Sequence, residues 1–245
     1  RPELTALTAG HRRTPIMQIG AAEYCDSALM AATLERIAPQ HTLYPDGHHA
    51  MIDTVAQWGD SNLFWAAIAY LYQTDGVLVA LSQKTPEQVQ QYKEDRAGLL
   101  KSRPLTGFAE TKATLSLYLQ RLQDMLAGGQ PFLFGGAPSL ADFCCYHPLW
   151  CLRPLPPTAG ILEAAPRVLA WMDRVQAIGH GHHSPLSPQD ALSVARDAPP
   201  SLIPRTTSDI PGIGIGEEVE VLPSDYGLDP VRGELVLVEP NHVGV

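Results

Sequence analysis

The chain has 245 residues, and 45% of them are hydrophobic, which is enough to bury a sizeable core without disulfides or metal ions. Its 17 basic and 26 acidic side chains give a formal net charge of −9, and a surface with that balance repels nucleic acid and anionic lipid. No apolar run approaches the roughly 18 residues that a membrane-spanning helix needs. The composition therefore predicts a soluble protein that binds neither nucleic acid nor a membrane.

The cysteines and the start of the chain bear on the compartment. Three of the four cysteines, Cys144, Cys145 and Cys151, lie together in an apolar helical stretch, whereas a disulfide framework spreads its cysteines along the chain. Residues 1–10 have neither the apolar core nor the small-residue cleavage site of a signal peptide. We therefore predict a cytoplasmic location.

The first part of the chain predicts a hairpin followed by a helix. A short helix or loop leads to residues 15–19, which read as a strand, and a turn joins them to a second strand at 23–25. Asp26 or Ser27 can cap the helix that follows, which carries apolar residues at helical spacing until Pro39 ends it.

Residues 40–47 carry the proline and glycine of a linker, and beyond them the strand signal gives way to helices. The apolar spacing predicts helices at 51–73, with a bend at Gly59, and at 86–100, 109–126, 139–152, 166–178 and 188–197. From 198 onward a Pro- and Gly-rich approach leads to two alternating runs, 217–221 and 234–239, which predict a β-hairpin. A lone hairpin is marginal in water, so we expect it to gain a third strand or to pack on another element.

These elements predict an α+β fold in three parts. Residues 1–39 hold a hairpin and a helix, residues 48–197 an all-helical bundle, and residues 198–245 a linker with a small β-rich appendage.

Two motifs link this order of elements to a known family. The first is Arg13-Thr-Pro-Ile-Met17, followed by Asp26-Ser27 at a helix start. The second is the run Phe-Leu-Phe-Gly-Gly-Ala-Pro-Ser-Leu-Ala-Asp at 132–142, whose Ser139 and Asp142 have the spacing of a capping box. Together with the hairpin, linker and helical bundle, these motifs resemble the glutathione S-transferase superfamily over about residues 1–180.

The resemblance implies a glutathione-binding site in the last part of a thioredoxin-like domain. Pro15 would be a cis-proline that turns the Thr14 backbone toward the cysteinyl part of glutathione. Ser27, at a helix N-terminus, would hold the γ-glutamyl carboxylate, and Asp26 would meet the ammonium group. The alternatives are that Pro15 is an ordinary strand-start proline and that Asp26 and Ser27 only cap their helix. The family often has Glu or Gln at the Asp26 position.

The resemblance also implies an activity. It predicts a glutathione transferase that takes glutathione as co-substrate, transfers it to an electrophilic small molecule, serves in detoxification and works as a homodimer. In the family the thiol-activating residue lies in a strand-helix-strand unit, which we expect before Arg1, so no catalytic residue is assigned. The alternative is a non-catalytic binding or scaffolding protein with the same fold.

Four other features of the sequence are candidates for metal binding, redox chemistry or catalysis. The His180-Gly-His182-His183 cluster lacks a spaced Cys or acidic residue to complete a metal site, so no metal is predicted. Cys144 and Cys145 are adjacent on a helix and read as core, not as a redox pair. Cys25 lies beside the proposed glutathione site, where it either packs in its strand or forms a mixed disulfide. Asp142 is predicted to serve folding and not chemistry.

Overall fold

Helices account for most of the computed structural model, which describes residues 2–100, 106–199 and 212–245. The structure is α+β, as predicted. Residues 200–211, in the predicted approach to the tail strands, and Arg1 lie outside the described residues. In chain order the elements are α1 (Pro2–Leu7), β1 (Ile16–Ile19), β2 (Ala22–Cys25), α2 (Ser27–Ile37), two 3-10 turns (Pro39–His41 and Pro45–Gly47), α3 (His49–Trp58), a π-helical turn (Gly59–Leu63), α4 (Phe64–Gln73), α5 (Gly76–Ala80), α6 (Pro86–Leu100), α7 (Phe108–Met125), α8 (Leu140–Trp150), α9 (Pro156–Glu163), α10 (Pro166–Ala177), α11 (Pro188–Asp197), β3 (Glu218–Val221), β4 (Val231–Glu234), β5 (Leu237–Glu239) and β6 (His242–Gly244).

The chain divides into two units, of which the first combines the start and the end of the sequence. It comprises the described residues of Arg1–Ile37, Lys93–Arg103 and His183–Val245. Within it, β1 and β2 form an antiparallel hairpin, and α1 packs against α11. The side-chain amide of Gln18 on β1 donates to the Ala191 carbonyl on α11 at 3.0 Å. The N-terminal hairpin and the C-terminal part of the chain are therefore packed together. The domain limits inferred from the sequence stay predictions.

The tail forms strands, and the predicted hairpin pairing holds only in part. Glu234, at the start of the run predicted at 234–239, lies opposite Glu218 on β3, and β4 continues this pairing to Val231 opposite Val221. The rest of the run forms β5, which pairs with β6. The segment 231–239 thus pairs with β3 in its first half and with β6 in its second.

Main-chain hydrogen bonds extend both pairings of the tail. The Leu235 N–H donates to the Glu217 carbonyl at 2.8 Å, next to β3, and the Val236 N–H donates to the Gly244 carbonyl of β6 at 2.9 Å. Three apolar side chains of this segment are buried, namely Leu235, Leu237 and Val238. The apolar side that a two-stranded hairpin would expose is thus covered.

The second unit comprises the described residues of Ala38–Tyr92 and Pro104–His182, and its core is helical. The helix predicted at 51–73 is continuous, but the π-helical turn replaces regular α-helix at the predicted bend. A Cβ on Gly59 would lie 3.0 Å from the Cys145 sulfur, so α8 can pack on this helix only because residue 59 has no side chain. The close approach of the two helices explains the glycine.

The amphipathic pattern located most of this core. Leu115, Leu119 and Leu122, spaced along the helix predicted at 109–126, are at most 3% exposed. The helix predicted at 166–178 ends one residue earlier, at Ala177, and Ile178 is 46% exposed. Helix α9 was not predicted. None of the helices in the described ranges is long and apolar enough to cross a membrane.

Asp142 on α8 is a fully buried carboxylate that accepts four hydrogen bonds. The N–H and the hydroxyl of Ser139 donate to its Oδ2 at 2.9 and 2.7 Å, which forms the predicted capping box. Its Oδ1 accepts from the Leu133 N–H at 2.9 Å and from the Trp171 indole N–H at 2.8 Å. One side chain therefore joins the α8 N-terminus, the preceding loop and α10.

We expect Asp142→Ala to lower the free energy of unfolding by roughly 3 kcal/mol or more, because it leaves several buried donors without a partner. Urea denaturation measures this change. Asp190→Ala is the matched control, since Asp190 receives the Ser187 hydroxyl at 2.7 Å in an exposed cap of the same spacing and should cost about 1 kcal/mol or less. Equal losses in the two variants would contradict the role given to Asp142.

Candidate functional site

The register of the β1–β2 hairpin brings the four predicted binding residues to one end of it. Ile16 lies opposite Cys25, so Thr14 and Pro15, directly before β1, are at the same end as Asp26 and Ser27, directly after β2. All four residues are exposed. The Thr14–Pro15 peptide bond is cis. The four residues thus form one accessible group, and their contacts with a ligand stay a prediction.

Asp26 turns the chain from β2 into α2. Its backbone has φ +86°, a conformation that Asp adopts more readily than most side chains. Its Oδ1 accepts from the Ala28 N–H at 2.8 Å, and its carbonyl accepts from the Met30 N–H at 3.0 Å. Asp26 therefore caps α2, which is the alternative role that the sequence left open. The cap uses one carboxylate oxygen and is compatible with a ligand on the other.

Ser27 is the first residue of α2 and is exposed. Within the described part of the chain its hydroxyl makes no hydrogen bond, and the first N–H groups of a helix have no partner inside the helix. The positive end of the helix dipole adds to these donors. The start of α2 can therefore accept a carboxylate, as the resemblance requires.

The charges around the hairpin end are mixed. Burial and the Arg13 charge lower the pKa of His11, while the carboxylates of Asp26 and Asp229 oppose that shift. Burial, followed by the charges of Glu23 and Asp26, raises the pKa of the Cys25 thiol. Cys25 is therefore held protonated at neutral pH, and the packing interpretation of this residue is favoured over a reactive thiol.

The other features that the sequence offered as candidate sites are a buried pair of cysteines and an exposed group of histidines. Cys144 and Cys145 are buried, as predicted, and burial, followed by the charges of Asp142 and Asp60, raises the pKa of Cys145. All four cysteines are free thiols. The three histidines at 180–183 are exposed, and in residues 2–100, 106–199 and 212–245 no group of three His, Cys, Asp or Glu side chains is placed to hold a metal ion.

Comparisons with known proteins identify the family. The family model described as Glutathione S-transferase, C-terminal domain matches residues 108–174. A GST-like protein of known structure from Pseudomonas syringae is 35% identical, and the match covers 99% of this chain and 77% of that chain with a TM-score of 0.78. The chain belongs to the glutathione S-transferase superfamily.

Other superfamily members share the fold at lower identity. A glutathione S-transferase from Rhodospirillum rubrum is 15% identical, with a TM-score of 0.52 over 79% of this chain and 82% of that chain. Glutathione transferase F7 from Populus trichocarpa is also 15% identical, with a TM-score of 0.50 over 80% of each chain. No curated protein sequence matches the chain. Because the Pseudomonas match covers nearly the whole chain, it extends into the tail, beyond the range over which the motifs resemble the superfamily.

The sequence does not predict which residues contact the Arg13 side chain. Arg13 was recognised as part of the first motif, but its partners, Asp225 and Tyr226, lie more than 200 residues away in the tail. No local pattern pairs residues at that separation. The Asp and Tyr in a turn-rich segment read as loop residues, and their role becomes visible only in the packed unit.

We expect Cys25 to react with iodoacetamide more slowly than an exposed cysteine at pH 7.5, because its raised pKa keeps the thiolate fraction low. Mass spectrometry of the alkylated peptides over a pH series measures the rate. Glu23→Gln removes a negative neighbour, lowers the pKa and should speed the reaction, whereas Glu218→Gln, exposed on β3, should leave it unchanged. A Cys25 profile with its midpoint at or below that of an ordinary thiol would refute the assignment.

Proposed function

We propose that this protein is a glutathione transferase that binds glutathione as co-substrate and conjugates or transfers it to an electrophilic small molecule. The observation that carries the proposal is the hairpin register, which brings Thr14, Pro15, Asp26 and Ser27 to one exposed hairpin end. Membership of the superfamily supports it. A role in detoxification and a cytoplasmic location belong to the same proposal, and the four free thiols support a reducing compartment.

Each residue of the site binds a different part of glutathione. The Thr14 backbone offers a donor and an acceptor to the cysteinyl part, and an extended peptide is well matched by such main-chain pairing. Ser27, through its hydroxyl and its own N–H at the start of α2, holds the γ-glutamyl carboxylate. The Asp26 oxygen that does not cap α2 meets the ammonium group.

A protein that binds glutathione without turnover is the second candidate. The fold fits this candidate as well, because a fold does not fix its function and no residue of this chain is assigned as the thiol activator. A conjugation assay separates the two. Turnover of a chloronitrobenzene with glutathione supports the transferase, whereas binding without product supports the binding protein.

Glutathione binding should depend on Ser27. We expect Ser27→Ala to weaken binding by about 1–3 kcal/mol, or roughly 5- to 150-fold in Kd, because a carboxylate loses a hydrogen bond from the hydroxyl. Isothermal titration calorimetry of the intact protein gives the value. Ser187→Ala is the control, since Ser187 caps α11 and accepts from the Asp190 N–H at 3.1 Å. If Ser27→Ala binds glutathione as tightly as the Ser187→Ala control, the carboxylate is not held at α2.

We also propose a homodimer with α3 and α4 at its interface. Met51 on α3 is 59% exposed, and a second copy would cover it. Met51→Lys should shift the protein toward monomer, since the interface would then bury an unpaired charge. Sedimentation velocity at micromolar concentration reads the oligomeric state. Leu186→Lys, at a position 61% exposed in the connector before α11, should have no effect, and a wild-type monomer would reject the interface.

A further inference from the structure

The C-terminal tail contacts the residue that directly precedes Thr14. One guanidinium nitrogen of Arg13, Nη2, donates to Asp225 Oδ1 at 2.5 Å and to the Tyr226 carbonyl. The guanidinium carbon also lies 3.8 Å from the centre of the Tyr226 ring. An ion pair, a main-chain hydrogen bond and a cation–π contact thus converge on one side chain.

A second set of contacts places the tail at the same end of the hairpin. Arg12 pairs with Asp95 on α6, and its other terminal nitrogen is 3.9 Å from Asp229 Oδ2. The charges of Asp26 and Asp229 both raise the pKa of His11, against a larger lowering by burial and the Arg13 charge. The ion pair of Arg12 with Asp229 brings a second tail residue to the segment that leads into β1.

The Arg13 side chain is more buried than the arginine of an ordinary surface ion pair. Arg13 is 21% exposed and Asp225 is 49% exposed, whereas Arg232 and Glu220 are 74% and 51% exposed. Burial alone would raise the pKa of Asp225, but the hydrogen bond from Arg13, the main-chain N–H groups and the Arg13 charge lower it. Asp225 is therefore ionised at neutral pH and remains paired with the Arg13 guanidinium.

A fixed side chain at residue 13 restrains the backbone at residue 14. Arg13 and Thr14 share a peptide unit, so the Arg13 carbonyl and the Thr14 N–H move as one plane. Main-chain recognition of a peptide ligand needs those groups held within a fraction of an ångström, because a loose donor loses both energy and direction. The tail contacts hold this plane from outside the hairpin.

We propose that the tail segment 225–229 is part of the glutathione site, in which Asp225 and Tyr226 act through Arg13 as positioning residues for the Thr14 backbone. This inference rests on the proposed function. The ligand is the same tripeptide thiol, and the tail determines how tightly its cysteinyl part is held. The contribution of Ser27, on the other side of the site, is independent of it.

The test is calorimetric titration of the intact protein with glutathione. Asp225→Ala should raise Kd about fivefold to twentyfold, since the guanidinium loses a charge-assisted hydrogen bond. Asp225→Glu, which keeps the charge, should restore most of the affinity. The control is Glu220→Gln in the same tail, which breaks the exposed pair with Arg232 and should change Kd less than twofold. Urea denaturation of each variant shows whether stability changes in parallel.

Two further measurements separate positioning from general stability. The effects of Asp225→Ala and Ser27→Ala on affinity should multiply, because the two groups hold different parts of the ligand. In the wild-type protein, bound glutathione should slow amide exchange in segment 225–229, a result that needs no variant to fold.

The outcomes are distinct. A wild-type protein that does not bind glutathione overturns the proposed function and this inference with it. Wild-type binding with an unchanged Kd in Asp225→Ala, no rescue by Asp225→Glu, or unchanged exchange in segment 225–229 overturns the inference alone. Selective loss of affinity, its rescue and slower exchange support it.

Discussion

The antiparallel register of β1 and β2 is the constraint on which the candidate site depends. With Ile16 opposite Cys25, the segment that enters the hairpin and the segment that leaves it must lie side by side. A slip of one residue would turn every side chain of one strand to the other face and would separate Pro15 from Asp26. The positive φ of Asp26 completes the arrangement, because it directs the chain into α2 within a single residue. Ser27 therefore opens a helix next to Thr14.

The residues that match the C-terminal domain model and the residues of the candidate site lie in different units. The match to the superfamily's C-terminal domain, residues 108–174, lies in the second unit, whose packing centres on the Asp142 carboxylate. The candidate site lies in the first unit, with the hairpin and the tail. A buried charge with four donors fixes one arrangement of helices and has no exposed surface left for chemistry. The residues that the C-terminal domain model matches and the residues proposed to bind the ligand therefore belong to different units.

Most of the fold was predictable wherever the signal is local. Helices α6 and α11 begin at the predicted residues, because each has Pro at its first helical position, and α11 also ends at the predicted Asp197. The capping box of Ser139 and Asp142 was also readable, since both partners lie within one turn. The four proposed ligand residues come from the first motif, and their role in binding stays a prediction.

What the sequence did not yield depends on distant partners or on weak patterns. Helix α9 has eight residues and an internal Gly160, so its apolar spacing is too short to stand out. The tail run at 234–239 is continuously apolar at 235–238, so it has no alternation that would show where one pairing ends and the next begins. The hydrogen bonds from Arg13 to Asp225 and Tyr226 join residues near the two ends of the chain. No sequence pattern predicts contacts between residues that far apart.

The measurement that tests the central claim most directly is a crystal structure of the intact protein with glutathione. We predict the cysteinyl main chain paired with the Thr14 backbone, the γ-glutamyl carboxylate at Ser27 and the first turn of α2, and the ammonium group beside Asp26. Glutathione bound at another surface, or bound here with its carboxylate away from Ser27, would contradict the account.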